Sequence, residues 1–341
     1  MTMNPNWLDT LRSLGATPTP DNAEIADFGD PVAELLAARD ATVLVPLTHL
    51  TLIEVEGADS KAFLHAQLTS DVNHLAGDAA QHGAWCTAKG RMLASFIVSR
   101  VGEESYRLLL ASELAAPIAK RLQMYVLRAK VKASNAADTH VVLGLSGPEA
   151  AAALSAAALP CPEAVLHSAL AETTQIIRVD DQRFLIVAPC EGALHLWQQL
   201  ATHARPAGLP AWRWLDVQAA FPLITAATQE EFVPQMADFE KIGGVSFHKG
   251  CYPGQEIVAR TQYLGKVKRH LYRVNSPAAL TAGDDLHSPD NPDQAVGKIV
   301  SAAPAPTGDF AALAVIQANF AGNLRLGSLD GATLEAVAVN V

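Results

Sequence analysis

Cysteine is scarce in this chain, and the few cysteines present form no pattern. The 341 residues contain four, Cys86, Cys161, Cys190 and Cys251, and no two are spaced as CxxC. A disulfide framework needs regularly paired cysteines, and a zinc or iron–sulfur centre needs clustered ones. We therefore expect free thiols in a reducing compartment and no bound metal.

Several other signatures are missing. No stretch of about 18 apolar residues occurs, which argues against a membrane-spanning helix. The first 40 residues lack the basic start and apolar core of a secretory signal. The nucleotide-binding patterns GxxxxGK[ST] and GxGxxG, the GxSxG elbow of hydrolases and the HExxH zinc site are absent as well. We expect a cytoplasmic protein without membrane contact.

Charge is sparse and unevenly distributed. Charged residues make up 18% of the chain, hydrophobic residues 50%, and the net charge is −10. This balance predicts a folded globule, long enough for two or three domains, and disfavours general nucleic-acid binding. Between Lys241 and Arg273, however, seven lysines and arginines stand against Glu256 alone. This basic region predicts an anionic partner.

Hydrophobic periodicity predicts alternating strands and helices, followed by strands only. Strand patterns at 50–57 and 140–146 each precede a helix pattern, and the sequence suggests two related α+β halves. After residue 266 the chain consists of short strand patterns broken by Pro, Gly and Asp. Such spacing is typical of a small β-barrel.

The densest candidate site is the segment 243–260, GGVSFHKGCYPGQEIVAR. Pro253-Gly254 is the central pair expected of a type II turn, after which Gln255 can begin a helix or strand. Cys251 then lies on a loop, where Lys249, and Arg260 if the fold brings it near, would favour the thiolate, the nucleophilic form of cysteine. The alternative is purely structural: the glycines and proline shape a tight connection, and Cys251 is a small buried hydrophobe.

The sequence KGCYPGQEIVAR, followed by YLGK and KR, resembles the signature of the YgfZ family, folate-binding relatives of the glycine cleavage T-protein (aminomethyltransferase). Weaker resemblances occur in the same order from about residue 44 to residue 273. They are GADS at 57, QLTSDV at 67, AKGR at 88, LGLSG at 143, QAAFP at 218, FVPQ at 232 and GGVSF at 243.

The resemblance implies an α+β, three-domain aminomethyltransferase-like fold with ferredoxin-like halves and a C-terminal β-barrel. It places an N-terminal extension at 1–40, a discontinuous folate-binding domain at 41–133 plus 205–262, a ferredoxin-like domain at 134–204 and the barrel at 263–341. It also implies tetrahydrofolate or a derivative as cofactor. The expected role is support of iron–sulfur enzymes or their cluster assembly machinery, including an enzyme that thiomethylates tRNA.

The resemblance also assigns residues. The functional group is the Cys251 thiol, assisted by Lys249, Gln255 and Glu256, and no metal site is assigned. Predicted contacts to folate are Trp212, which can stack on an aromatic ring, Gln218 and Arg260. Trp212 has a structural alternative, because an amphipathic helix can bury a tryptophan in the core.

Two departures from the family pattern bear on activity. Ala94 and Ser95 occupy the apparent place of an acidic pair in the T-protein relatives, so a general base for aminomethyl transfer is missing. Gln218 stands where the resemblance puts a glutamate, which lowers the expected folate affinity by about 1–2 kcal/mol. Two alternatives stay open: a folate-dependent one-carbon transferase, and a tRNA-binding module that uses basic residues 260–273, among them Lys266, Lys268 and Arg269.

Overall fold

The computed structural model describes residues 4–265 and 267–339. The chain forms two compact units. Unit 1 comprises Met1–Lys61, His74–Gln81 and Ile97–Trp212, and unit 2 comprises Ala62–Asn73, His82–Phe96 and Arg213–Val341. Both units are therefore assembled from separate stretches of sequence.

The helices are short. Within the described residues they are α1 (Pro5–Ser13), α2 (Pro31–Asp40), α3 (Ser60–Gln67), α4 (Ser112–Val126), α5 (Ala150–Ala156), α6 (Ala193–Leu200), α7 (Leu209–Gln218) and α8 (Gln255–Tyr263). In the described part of the chain, no helix is long and apolar enough to cross a membrane.

The strands in chain order are β1 (Thr17–Pro18), β2 (Ile25–Asp27), β3 (Val43–Pro46), β4 (Leu50–Glu56), β5 (Ala80–Cys86), β6 (Met92–Gly102), β7 (Ser105–Ala111), β8 (Lys132–Asn135), β9 (His140–Ser146), β10 (Ser168–Ala171), β11 (Thr174–Asp180), β12 (Arg183–Pro189), β13 (Arg205–Pro206), β14 (Arg269–Ser276), β15 (Asp285–His287), β16 (Gly297–Pro304), β17 (Phe310–Gln317), β18 (Leu324–Leu326) and β19 (Thr333–Ala338).

Unit 1 contains a six-stranded sheet in the order β10-β11-β12-β9-β3-β13, antiparallel except for the pair β13–β3. Its core joins apolar residues of β9 and β12 to α5 and α6. Helix α1 belongs to the same core, because Trp7 packs edge-on against Trp197 of α6 with ring centroids 6.3 Å apart. The stretch predicted as an N-terminal extension is thus packed into this core at Trp7, Leu8 and Leu11.

A second antiparallel sheet of unit 1 contains β7, β4 and β8, to which β6 contributes its residues from Ile97 onward. Helix α4 packs on these strands through an apolar face that includes Leu114, Ile118 and Leu122. The predicted strand at 50–57 is present as β4, within one residue.

Unit 2 ends in a closed six-stranded barrel, with neighbours in the order β14-β17-β16-β15-β18-β19. Its interior is filled by aliphatic side chains, among them Val274, Ile299 and Ile316. Closure of the sheet removes its exposed edges, which is why such short strands form a stable structure. The predicted fold class, α+β with ferredoxin-like halves and a C-terminal barrel, is confirmed.

Candidate functional site

The segment Lys249–Gln255, here called the thiol loop, contains the predicted turn. The Gln255 N–H donates to the Tyr252 carbonyl at 3.1 Å, and Gly254 has φ +81° and ψ 1°. This geometry, with Pro253 before the glycine, is that of a type II turn. Helix α8 begins directly after it, as one of the two predicted continuations.

The thiol loop packs on a second glycine turn, Thr87–Arg91. A Cβ atom added to Gly254 would lie 2.4 Å from the Thr87 carbonyl oxygen and 2.7 Å from the Gly90 Cα. Gly90 itself has φ +71°. Only glycine permits both the left-handed backbone and this close approach, so the two turns fix each other's position.

Lys249 anchors the thiol loop to the carboxyl end of helix α3. Only 8% of its surface is exposed, and its amine donates to the Leu68 carbonyl at 2.7 Å and to the His65 carbonyl. These carbonyls lie at the carboxyl end of α3, where backbone acceptors lack helical partners and the helix dipole favours a cation. The Lys249 amine also lies 4.6 Å from the centre of the Tyr252 ring.

The electrostatics of the loop follow from this burial. Burial lowers the pKa of Lys249 to about 8, against the opposing influence of Asp71 and Cys251. Burial also raises the pKa of Tyr252, and nearby Cys86 acts in the same direction. The amine is therefore cationic at neutral pH and loses its proton within a mildly alkaline range.

Cys251 is exposed between these anchors. The Gln255 side-chain amide donates to the Lys249 carbonyl at 3.5 Å and to the Gly250 carbonyl at 3.4 Å, holding the backbone just before the thiol. The structural alternative of a buried cysteine is thus wrong for Cys251. An exposed thiol beside a cation is suited to act as a nucleophile or a metal ligand.

Two residues that the sequence did not single out lie beside the loop. The Nδ1 atom of His65 is 3.2 Å from the Asp71 carboxylate. The Nε2 atom of His65 lies 3.7 Å from the position of a Cβ at Gly250, next to Cys251. Asp71 falls within the QLTSDV stretch, so that weak resemblance was the available signal, whereas nothing in the sequence indicated His65.

The other cysteines have different surroundings. Cys86 is buried, which raises its pKa to about 12. Cys190 is half-buried, and its pKa is raised by burial and by Asp138. Cys161 is exposed, like Cys251, and thereby serves as a matched comparison. Within the described residues, no group of three or more His, Cys, Asp and Glu side chains could hold a metal.

The remaining residues assigned to the thiol site and its helix lie on the surface of α8. Glu256 is exposed in the first helical turn, where a carboxylate suits the helix dipole. Arg260 is exposed one turn later and lines a cavity together with Lys268 and Arg269. Lys266 lies outside the described residues. Their functional roles stay predictions.

The residues predicted to contact folate differ in how accessible they are to a ligand. The Trp212 ring is 1% exposed, lies against Gly144 and has the Arg183 guanidinium 4.4 Å from the ring centre. It therefore offers no open face for stacking in this conformation. Gln218 is exposed at the end of α7, where its side-chain amide can hydrogen-bond a ligand, while its backbone carbonyl accepts from Arg273 at 2.6 Å. Both folate contacts stay predictions.

The position that the resemblance gives to the acidic pair is buried. Ala94 and Ser95 lie on β6 with almost no exposed surface, and the Ser95 hydroxyl accepts a hydrogen bond from the Ile224 N–H at 2.9 Å. Ser95 thus holds backbone rather than facing solvent. Neither side chain can serve as a general base, which weighs against aminomethyl transfer.

Comparison with known proteins gives three concordant results. The model of the GCVT N-terminal domain matches residues 23–242. The chain is 34% identical over 255 residues to the tRNA-modifying protein YgfZ of Shigella sonnei (strain Ss046), covering 72% of this chain and 78% of the relative. The YgfZ protein of Yersinia pseudotuberculosis serotype O:1b (strain IP 31758) is 34% identical over 251 residues, covering 71% and 74%.

The fold has a solved counterpart in the glycine cleavage system aminomethyltransferase T from Bartonella henselae. The two superpose with a TM-score of 0.80 at 19% identity, covering 97% of this chain and 95% of that one. At this identity the likeness shows the fold alone. The sequence relatives and the match to the GCVT N-terminal domain show that the chain belongs to the YgfZ family and contains that domain.

Proposed function

We propose that this protein is a cytoplasmic, folate-binding accessory protein that supports iron–sulfur enzymes acting on tRNA. In this proposal the Cys251 thiol performs a redox or ligand-transfer step for a client enzyme or for the cluster assembly machinery. The observation that carries the proposal is the thiol loop, in which an exposed thiol is held between a buried lysine and a glycine turn. The relatives named as tRNA-modifying proteins support the connection to tRNA.

The arrangement around the thiol supports a chemical role over a structural one. A loop that served only as a connection would not need a charged side chain for its anchor, because burial of a charge costs free energy. The Lys249 cation interacts electrostatically with Cys251, and Gln255 limits the movement of the backbone that carries the thiol. An exposed thiol on a fixed backbone beside a cation suits ligand transfer or redox exchange.

The proposal is tested in cells that lack their own YgfZ protein. The level of thiomethylated tRNA is measured by mass spectrometry of nucleosides after supplying the parent protein, Cys251→Ala or Cys161→Ala. We expect the parent and Cys161→Ala to restore the modification and Cys251→Ala to fail at equal protein levels. Full restoration of thiomethylated tRNA by Cys251→Ala would show that the function does not require the thiol.

The folate part is tested separately with pure protein. Titration with tetrahydrofolate, followed by calorimetry, is expected to show saturable binding. Gln218→Ala should weaken that binding by about fivefold, the usual value of one hydrogen bond. Binding that is absent in the parent would show that folate does not belong to this chain's function. A one-carbon transferase, the alternative, would in addition consume a methylene donor.

A further inference from the structure

The basic region between Lys241 and Arg273 consists of residues in very different situations. Lys241 forms an ion pair with buried Asp238 at 3.3 Å, and Lys249 is buried under the thiol loop. The Arg273 guanidinium donates to the carbonyls of Val217 and Gln218 at 3.2 and 2.6 Å. These three cations hold the protein together, so they cannot account for an anionic partner.

Three other cations line one cavity. Arg260, Lys268 and Arg269 surround a space of about 610 Å³ at the carboxyl end of α8. No carboxylate lines this cavity, and none of the three forms an ion pair with any described residue. In a protein of net charge −10, such an uncompensated group attracts an anion from solution.

An exposed apolar surface accompanies the cations. Leu264, on the cavity wall, is 84% exposed, and the preceding Tyr263 is 66% exposed. The Tyr263 ring is supported from one side by Phe247, edge-on with centroids 6.0 Å apart. These two exposed side chains offer an apolar surface that a ligand bound in the cavity could cover.

We propose that this basic cavity binds the phosphodiester backbone of single-stranded or loop RNA, with an unstacked base against Tyr263 and Leu264. RNA alternates anionic phosphates with flat aromatic bases, which matches three free cations beside an exposed tyrosine. A polyglutamate chain, the alternative anionic ligand, would form ion pairs with the cations but would leave the aromatic surface exposed to solvent. The proposal deepens the function proposed above, since it makes RNA a direct ligand rather than only the substrate of a client enzyme.

The position of the cavity relates it to the thiol. Helix α8 has nine residues, starts at the thiol loop and ends at the cavity, so about 13 Å of helix separates them. RNA held in the cavity would therefore lie one short helix away from Cys251. The two sites stay chemically independent, because different side chains form them.

The test measures binding of bulk tRNA by fluorescence anisotropy over a range of salt concentrations. The triple variant Arg260→Gln/Lys268→Gln/Arg269→Gln is compared with a control of equal charge, Lys120→Gln/Arg128→Gln/Lys132→Gln, whose residues are exposed in unit 1. Thermal unfolding of each variant verifies that the fold is retained.

We expect the cavity variant to bind tRNA at least tenfold more weakly than the parent. The slope of log K against log salt concentration should be shallower by about 2, as the loss of three phosphate contacts requires. Tyr263→Ser should weaken binding about tenfold without changing the salt slope. Equal weakening by the control variant, or no tRNA binding by the parent even at low salt, would overturn the proposal. So would displacement of tRNA by a glutamate pentapeptide at matched charge, or binding to phosphatidylglycerol vesicles in place of tRNA.

Failure here and failure of the thiol function are distinguishable. Cys251→Ala should bind tRNA like the parent, because its side chain does not line the cavity. If Cys251→Ala fails in cells while the cavity variant restores thiomethylated tRNA, the thiol function stands and direct RNA binding falls.

Discussion

Replacing Lys249 by methionine separates the charge of the buried amine from its volume. Methionine has a similar length and no polar atoms, so the packing under the thiol loop is largely kept. The Leu68 and His65 carbonyls lose their donor, at a cost of about 1–3 kcal/mol for each acceptor left unsatisfied. At pH 7 this cost is partly offset, because the variant no longer holds a cation in a buried position.

The size of that offset follows from the pKa. Burial lowers the pKa of Lys249 from 10.5 to about 8, which corresponds to about 3 kcal/mol of unfavourable charging in the folded state. The penalty is fully present below pH 8 and is relieved as the pH rises from 8 to the unfolded value of about 10.4. The neutral amine keeps two N–H donors, so both carbonyls stay paired.

The free energy of unfolding of the parent, relative to that of Lys249→Met, should therefore grow by about 2–3 kcal/mol between pH 7 and pH 10. The assay is urea denaturation of both proteins at several pH values, each in a Cys251→Ala background, because Cys251 is coupled to the amine and would otherwise differ between them. A difference that stays constant with pH would show that the Lys249 amine titrates like an exposed lysine, and it would refute the electrostatic account of the loop.

Two further substitutions test the anchors of the site. Gly254→Ala should lower the free energy of unfolding by about 2 kcal/mol or more, because the residue has φ +81° and the new methyl would meet the Thr87 carbonyl at 2.4 Å. The control is Gly250→Ala, whose methyl would meet only His65 at 3.7 Å. It should change the free energy of unfolding little. Asp238→Asn should cost about 1–2 kcal/mol in thermal unfolding, because the buried carboxylate pairs with His270 at 2.9 Å and Lys241 at 3.3 Å. An unchanged free energy of unfolding for Asp238→Asn would show that these two ion pairs contribute nothing to stability.

Local patterns in the sequence predicted local structure well. Strand β9 has the predicted bounds, His140–Ser146, and Pro253-Gly254 forms the predicted turn. These features depend on periodicity and on the backbone preferences of glycine and proline, which neighbouring residues determine. The barrel followed from the same short-range signals, because each strand is bounded by turn residues.

Contacts between distant residues could not be predicted in this way. The approach of Gly254 to Gly90, and the capping of α3 by Lys249, join segments more than 160 residues apart. Nothing in the amphipathic pattern around Trp212 decides between a ligand contact and core packing, since both require an apolar helix face. The basic region likewise reads as uniform in sequence, and only the fold separates its structural cations from those lining the cavity.

We propose that the fold, and not mere exposure, makes Cys251 the functional thiol. The most direct measurement is competitive alkylation of the native protein with limiting iodoacetamide at pH 7, with labelling of Cys251 and Cys161 quantified by mass spectrometry. The account predicts that Cys251 reacts several times faster than Cys161, that Lys249→Met removes most of the difference, and that urea abolishes it. Equal labelling of the two exposed cysteines in the native protein would contradict the claim.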